Sequence, residues 1–409
     1  MKKNHVAQVI LATAIGTLGA SAQAVDFKLS GFGTIGGAMT NTDSVAYSTD
    51  TNVPGGARKD FEFIDNKVAV QGDLIVDDKL SFTAQIMSKR GYDNSYRPKV
   101  EWGYAKYKFT PNLYVRAGRM YAGSFMNTDF AFVGYANLLV RQPVGVYGPR
   151  ATPGPNDGID VTWKTNSGDT VYTVSGGTAV TRLHSYTGGG SKSDDLRWLI
   201  GSAENGPWMG RISYTEGTLA INHLEANALI GFIGNFDPAY ANFMRNDIRR
   251  IPYSFTGLGG TYDDGTWQVQ AEWTKLKFDS ALMTSANNTG WYVTAGRRIG
   301  NFTPYASYLR NKKDGSSAPI APASLAAIPG YGPILAGGVN AFTAADQSQK
   351  SVSLGVRWDF MKNTALKFQY DRVITSPSDG FFFEGRTGQY PAGFNKSANV
   401  VSAALDFVF

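Results

Sequence analysis

The sequence of 409 residues contains no cysteine and only three histidines. Without cysteine there is neither a disulfide scaffold nor a thiolate metal site, and so few histidines leave little for zinc or imidazole chemistry. Apart from a short stretch at the N-terminus, the chain lacks the run of roughly 20 apolar residues that a membrane-spanning helix needs. These absences exclude a disulfide-rich protein and a bundle of transmembrane helices, and no cofactor is predicted.

The composition is rich in glycine and aromatic residues, with 47 Gly, 21 Tyr, 24 Phe and 8 Trp. Because 43% of the residues are apolar, the chain can bury ample surface, which excludes intrinsic disorder. The formal net charge is +6. An excess this small does not point to a nucleic-acid partner.

The N-terminus has the features of an export signal. Lys2 and Lys3 precede an apolar stretch over 6–18, and Ala22-Gln23-Ala24 has the small-x-small form of a cleavage site. We therefore predict a cleaved signal peptide over 1–24, a single mature domain over 25–409, and export in a Gram-negative bacterium. Removal of Lys2 and Lys3 takes two from the formal charge of +6 and leaves +4.

The mature chain consists of segments typical of β-strands, with local alternation of apolar and polar residues. Sixteen strands are predicted, at 27–40, 62–76, 78–90, 98–110, 112–121, 157–165, 168–180, 194–204, 206–217, 251–263, 265–279, 288–299, 301–313, 347–360, 362–376 and 397–409. Short turns with Gly, Asn, Asp or Pro alternate strictly with long connections. This layout predicts an all-β fold, a transmembrane antiparallel β-barrel of about 16 strands with short periplasmic turns and long external loops.

The alternation within strands indicates one face in lipid and one in water. In the last strand Val401, Leu405 and Phe409 share a face, and Ser402 and Asp406 share the other. A soluble β-sandwich would show the same period. A barrel is favoured because aromatic residues cluster near strand ends and the opposite face carries charges of both signs.

The sequence resembles the Gram-negative trimeric porin family over essentially the whole mature chain. The resemblance rests on the first strand Lys28-Leu29-Ser30-Gly31-Phe32-Gly33-Thr34, the sixteen-strand layout and the final Leu405-Asp406-Phe407-Val408-Phe409. It implies a water-filled channel in the outer membrane, usually a homotrimer. The third external loop, 122–156 here, would fold into the lumen. Phe407 and Phe409 would carry the signal read by the barrel-assembly machinery, and lipid and lipopolysaccharide would surround the barrel.

The third loop departs from that of general-diffusion porins because the acidic Pro-Glu-Phe-type turn is absent. It looks more like proteobacterial porins with Gly118-Arg119 followed by an Asn-x-Asp element and an Arg-x-Pro element. The residues expected to form the constriction or to set selectivity are Arg116, Arg119, Tyr121, Asp129, Phe130, Tyr135, Arg141, Arg150 and Arg357. For any one arginine, a solvated or ion-paired position without effect on conductance is an equal alternative.

Charge on the lumen face leads to a prediction about selectivity. The cations assigned to that face are Lys67, Lys89, Arg116, Lys164, Arg197, Arg211, Arg298, Arg357 and Lys367. The anions are Asp73, Asp160, Glu272, Asp359 and Asp371. An excess of cations in a pore with low-dielectric walls predicts mild anion selectivity for small hydrophilic solutes.

Two further expectations concern the external loops and the competing classes of protein. In 218–250, apolar residues recur at helical spacing, so either a short amphipathic helix or an irregular loop is expected there. A barrel enzyme is disfavoured because His184 and His223 lie in predicted loops without a recognisable motif. An adhesin or structural barrel would be favoured if the third loop sealed the lumen.

Overall fold

The computed structural model describes residues 25–50, 53–148, 154–184, 188–315, 320–344, 346, 348–375 and 397–409. The predicted signal peptide over 1–24 and Arg150 lie outside the described residues.

Sixteen strands form one closed antiparallel barrel in which each strand pairs with its neighbours in sequence. The first strand closes the barrel on the last, with Phe32 opposite Val408 and Thr40 opposite Val400. In chain order the strands are β1 Asp26–Thr40, β2 Lys67–Ile75, β3 Leu80–Lys89, β4 Lys99–Thr110, β5 Leu113–Tyr121, β6 Pro155–Ser167, β7 Thr170–His184, β8 Gly189–Asn205, β9 Trp208–His223, β10 Ile251–Asp263, β11 Trp267–Phe278, β12 Asn288–Arg297, β13 Phe302–Lys313, β14 Gln349–Met361, β15 Thr364–Thr375 and β16 Ser397–Val408. All sixteen predicted strands are confirmed, and so is the barrel fold.

The two ends of the barrel differ as the sequence predicts. Short turns join the strands at one end, and several need a backbone conformation that glycine or asparagine tolerates best. Gly206, Gly265 and Asn363 have φ angles of 54°, 87° and 61° in three of these turns. We call the opposite end, where the long connections lie, the loop end.

Alternation along the strands produces an apolar outer face and a polar inner face. On β9, Ile212 is 56% exposed on the outside, while Ser213 and Thr215 are buried on the inside. One assignment to the lumen was wrong. Arg197 lies on the outer face with Leu199 and is paired in register with Glu216, because Trp198 and Ile200 turn inward at this point of β8.

Helices occur in the long connections, and none in the described part of the chain is long and apolar enough to cross a membrane. They are α1 Val144–Tyr147, α2 Leu224–Ile233, α3 Pro238–Arg249, α4 Ala323–Ala326 and α5 Gly332–Ala344. Asp237 caps α3 by accepting a 2.9 Å hydrogen bond from the backbone N–H of Tyr240, and Pro238 fits the first turn. The segment 218–250, where the sequence left open a short amphipathic helix or an irregular loop, thus contains two helices.

The described part of the third loop, 122–148, lies inside the barrel. Phe125, Tyr147, Phe255, Tyr292 and Leu309 form a buried cluster that joins this loop to the inner faces of β10, β12 and β13. The rings of Phe125 and Tyr147 stack with their centroids 4.4 Å apart. The predicted inward fold of the loop is therefore confirmed, and the main core of the molecule lies between loop and wall.

Candidate functional site

The inward-folded loop is held against the inner wall by charged side chains of the strands. Lys367 of β15 is fully buried and forms an ion pair of 2.9 Å with Asp406 of β16. Its amino group also donates to the backbone carbonyls of Gly134 at 2.7 Å, Asn137 at 2.6 Å and Leu139 at 3.1 Å. A buried ammonium group is tolerated only when it is paired and hydrogen-bonded. The loop backbone supplies those bonds, so loop and wall stabilise each other.

Arg357 of β14 holds the same stretch of the loop from the next strand. Its guanidinium lies 4.6 Å from the centroid of the Tyr135 ring and donates to the Tyr135 carbonyl at 2.6 Å. It also forms an ion pair of 2.8 Å with Asp359. Tyr135 and Arg357, both predicted site residues, are therefore together, but Arg357 is already engaged.

Of the predicted site arginines that the structure describes, Arg141 is the most buried. Its guanidinium forms two hydrogen bonds with Asp65, of 2.7 and 3.1 Å, and lies 3.9 Å from Asp371. Burial raises the pKa of Asp65, but the charge and the hydrogen bonds of Arg141 outweigh it and hold that pKa below its usual value of 3.8. Arg141 therefore ties the loop to the segment before β2.

A buried carboxylate holds the other side of the loop. Glu272 of β11 accepts hydrogen bonds from the backbone N–H of Met126 at 2.9 Å, from Tyr147 at 2.8 Å and from Tyr292 at 3.1 Å. Arg211 of β9 donates to the carbonyl of Met126 at 3.4 Å. The predicted lumen residues Glu272 and Arg211 thus face inward, where they bind the loop.

Space remains between the loop and the wall formed by β1 to β5. A cavity of about 420 Å³ opens there. Its walls combine amides and hydroxyls with aromatic rings and charges: Ser30, Phe32, Gln71, Thr83, Gln85, Trp102, Tyr104, Arg116, Asp129 and Val133 contribute to it. This mixture gives a small hydrophilic solute both hydrogen-bonding groups and flat surfaces.

Arg116 and Asp129, both predicted from sequence, line this cavity. Arg116 donates from its Nε to Asp160 of β6 at 3.1 Å, and its guanidinium lies 5.3 Å from the centroid of the Tyr104 ring. Asp129 is exposed at the loop surface. The cavity therefore presents one paired cation and one solvated carboxylate.

The remaining predicted site residues are more dispersed. Tyr121 is buried and donates a hydrogen bond to Glu101, with its ring 6.3 Å from that of Phe132. Phe130 is 38% exposed on the loop. Arg119, at the end of β5, is bound to Asp157 at 2.8 Å, so it is not a free cation either.

Lys67 and Lys89, like Arg211 and Lys164, face inward and form no ion pair with a carboxylate in the part of the chain that the structure describes. Lys67 and Lys89 are directly opposite each other on β2 and β3. Lys89 lies 3.8 Å from the centroid of the Phe132 ring, and Lys67 donates only to the backbone carbonyl of Asp65, at 3.3 Å. Both lysines belong to the cations predicted to face the lumen, but neither is among the residues predicted to form the constriction or to set selectivity.

The predicted assembly signal lies where β16 pairs with β1 and closes the barrel. Phe409 pairs with Gly31 through backbone hydrogen bonds of 2.9 and 3.0 Å. A side chain at Gly31 or Gly33 would collide with the ring of Phe409 or Phe407, because those rings lie over the two glycines. A role of Phe407 and Phe409 in assembly stays a prediction.

Similarity to known proteins is structural. No family model matches the chain, and no curated protein is similar to it in sequence. The outer-membrane channel DcaP of Acinetobacter baumannii has 12% identity and a TM-score of 0.56, over 96% of this chain and 99% of that chain. An anion-selective porin from Comamonas acidovorans has 12% identity and a TM-score of 0.52, over 94% and 100%. OmpT of Vibrio cholerae, in a trimer form, has 13% identity and a TM-score of 0.53, over 95% and 100%. The chain therefore shares the closed 16-strand barrel of outer-membrane porins and channels.

Proposed function

We propose that this protein is an outer-membrane channel for the passive diffusion of small hydrophilic solutes and ions. The observation that carries the proposal is a loop fixed inside a closed barrel by Lys367, Arg357, Arg141 and Glu272, with a polar cavity left beside it. Barrels of this size enclose an aqueous lumen that side chains of the wall do not fill. A loop held across such a lumen narrows it and selects solutes by size.

The outer face supports placement in a membrane. Outward-facing aromatic side chains form one band near the loop end and another near the short turns. Those of the first band include Trp273, Trp291, Tyr308 and Tyr370, and those of the second include Trp267, Phe302, Trp358 and Phe360. Six residues separate Trp267 from Trp273, or about 20 Å along the strand. Outer-membrane barrels carry an apolar band between two such aromatic girdles.

Ion pairs inside the barrel affect which cations can attract anions into the channel. Arg116, Arg141 and Arg357 are each neutralised by a carboxylate within hydrogen-bonding distance. Lys67 and Lys89 form no such pair among the described residues, and they face the lumen beside the loop. We propose that these two lysines, and not the arginines, give the channel a mild preference for anions.

Assembly follows by analogy with the structural neighbours. OmpT of Vibrio cholerae is described in a trimer form, and we propose that this chain also forms a homotrimer in the outer membrane. Export through a signal peptide over 1–24, insertion by the barrel-assembly machinery and absence of catalysis belong to the same proposal.

Planar-bilayer recording of the purified protein tests this function. Discrete conductance steps and a reversal potential of the sign for anions in a KCl gradient are expected. A folded, inserted protein that carries no current would favour a structural or adhesin barrel with a sealed lumen. Hydrolysis of phospholipid or peptide substrates by that protein would favour an enzyme.

A further inference from the structure

The wall of the cavity beside the inward loop is built from two neighbouring rows of side chains. The first row crosses four strands in register and ends in an indole ring; its members are Ser30, Gln71, Gln85 and Trp102. The second row lies two residues nearer the short turns and ends in a phenol ring; its members are Asp73, Thr83 and Tyr104. We call these seven residues the platform, and all of them except Asp73 line the cavity.

The polar part of the platform is fixed by its own hydrogen bonds. The amide of Gln85 donates to the amide oxygen of Gln71 at 2.9 Å, and that of Gln71 donates to Asp73 at 2.9 Å. The hydroxyl of Thr83 donates to the other oxygen of Asp73 at 2.5 Å. Each glutamine keeps a second N–H, and the amide oxygen of Gln85 accepts no hydrogen bond from the described residues. The platform therefore offers oriented donors and acceptors that lose little side-chain freedom when a ligand binds.

The aromatic part of the platform lies directly beside these amides. Trp102 and Tyr104 are on the same face of β4, with ring centroids 5.9 Å apart and ring planes at 70°. Gln85 is opposite Trp102, and Thr83 is opposite Tyr104. A ligand held by the amides therefore meets flat apolar surface on its adjoining side.

Charge at the platform favours a neutral ligand. Arg116 is the only cation among the described residues that line the cavity, and its Nε is hydrogen-bonded to both carboxylate oxygens of Asp160, at 3.1 and 3.2 Å. Lys67 and Lys89 lie four residues farther toward the loop end on β2 and β3, about 13 Å along the strands. The platform is therefore separate from the two lysines to which we attribute the preference for anions.

We propose that the platform binds an uncharged sugar in its pyranose form. A pyranose ring carries hydroxyl groups around its edge and C–H groups on its faces. The hydroxyls match the amides of Gln71 and Gln85 and the carboxylate of Asp129, and a C–H face matches the rings of Trp102 and Tyr104. The cavity volume of about 420 Å³ lies within the range of sites that hold small organic molecules. This inference rests on the proposed channel, through which a solute reaches the cavity, and names one class of solute.

The test titrates the full-length mature protein with methyl β-D-glucopyranoside. Saturation-transfer NMR in detergent micelles measures binding without conduction, and planar-bilayer recording measures the sugar-dependent decrease of ion current. Trp102→Ala removes the indole face, and Gln85→Met removes one amide at similar size. We expect the first to weaken binding about tenfold and the second about fivefold.

The matched controls change the same residue types away from the cavity. Trp163→Ala acts on the outer face of β6, where this side chain is 47% exposed, and Gln268→Met acts on β11. Both should change binding by less than about twofold. Heat-dependent migration on a gel reports the folded barrel, and Gln85→Met suffices if Trp102→Ala does not fold. Unchanged binding by the folded platform variants would overturn the proposal.

Two further solutes separate the chemistry of the site from other effects. Sorbitol carries hydroxyl groups without a ring and has similar viscosity in solution, and benzoate carries a ring and a negative charge without hydroxyls. A saturable effect of the glucoside that exceeds the effects of sorbitol and benzoate supports the proposal. Equal effects of sorbitol, or a stronger effect of benzoate, would overturn it.

Failure of this inference and failure of the proposed channel have different signatures. A wild-type protein that conducts ions but shows neither saturation transfer to the glucoside nor a specific decrease of current would refute the sugar site and leave the channel. A wild-type protein that binds the glucoside in micelles and conducts no ions would refute the channel and leave the site.

Discussion

The amino group of Lys367 lies 2.9 Å from the carboxylate of Asp406, and neither side chain is exposed to solvent. Asp406 also accepts a hydrogen bond of 2.6 Å from Thr34, so the pair joins the two strands that close the barrel to the strand beside them. The other N–H groups of Lys367 donate to the loop backbone. One buried charge therefore stabilises both the contact between β1 and β16 and the position of the loop.

Replacement of Lys367 by Met is expected to free the loop and to destabilise the barrel. It leaves Asp406 buried without its counter-charge, a change that costs about 3 to 5 kcal/mol in other proteins. Thermal unfolding should shift to lower temperature, and single-channel currents should become larger and noisier. Lys362→Met, at an exposed short turn, is the matched control. Adding Asp406→Leu to Lys367→Met should recover part of the stability; a further loss would contradict this account.

Gly134 is expected to tolerate no side chain. A Cβ atom there would lie 1.9 Å from a carboxylate oxygen of Asp406 and 2.6 Å from the hydroxyl of Thr34. Gly134→Ala should therefore lift this part of the loop from the wall and raise single-channel conductance, with little change in secondary structure. Gly210→Ala on β9, where a Cβ would meet no atom within 4 Å, is the control. Identical conductance of the two variants would contradict the packing described here.

Strand periodicity and turn residues sufficed to predict the barrel, since alternation along each strand reflects the solvent on its two faces. They also located Glu272, Arg357 and Lys367 on the inner face. What could not be read from the sequence is which inward charges pair. Arg141 and Asp65 are separated by 76 residues, and their contact depends on how the loop crosses the lumen. Arg197 was misplaced because a register shift in β8 between Ser193 and Arg197 interrupts the alternation.

Lys67 and Lys89 are expected to control ion preference. Converting both to Gln removes two inward cations that form no ion pair among the described residues, so the reversal potential in a KCl gradient should move toward the cation side. Lys79→Gln, in a short turn, is the neutral control. A reversal potential that is unchanged in the double variant would refute the role given to these lysines.

The ion pair between Asp65 and Arg141 is expected to make loop stability depend on pH only in strong acid. The ordinary pKa of the Asp65 carboxyl is 3.8, and in the folded protein the guanidinium of Arg141 lowers it despite the opposing effect of burial. A carboxyl with a lowered folded pKa stabilises the protein fully above its unfolded pKa and loses that contribution as the pH falls through the folded value. The wild-type loop should therefore stay bound at pH 7 and pH 5 and loosen below pH 3.8.

Asp65→Asn should remove this dependence and cost about 3 kcal/mol at pH 7, because Arg141 then retains only the more distant Asp371 as an acidic partner. Hydrogen exchange of residues 137–147 at pH 7 and in strong acid, below the lowered pKa of Asp65, measures the effect directly. Protection of wild type and variant should differ strongly at pH 7 and converge in acid as the wild-type carboxyl becomes protonated. Asp60→Asn, at an exposed position nearby, should behave as wild type. If the wild type and Asp65→Asn differed equally at both pH values, the ion pair could not be what holds this part of the loop.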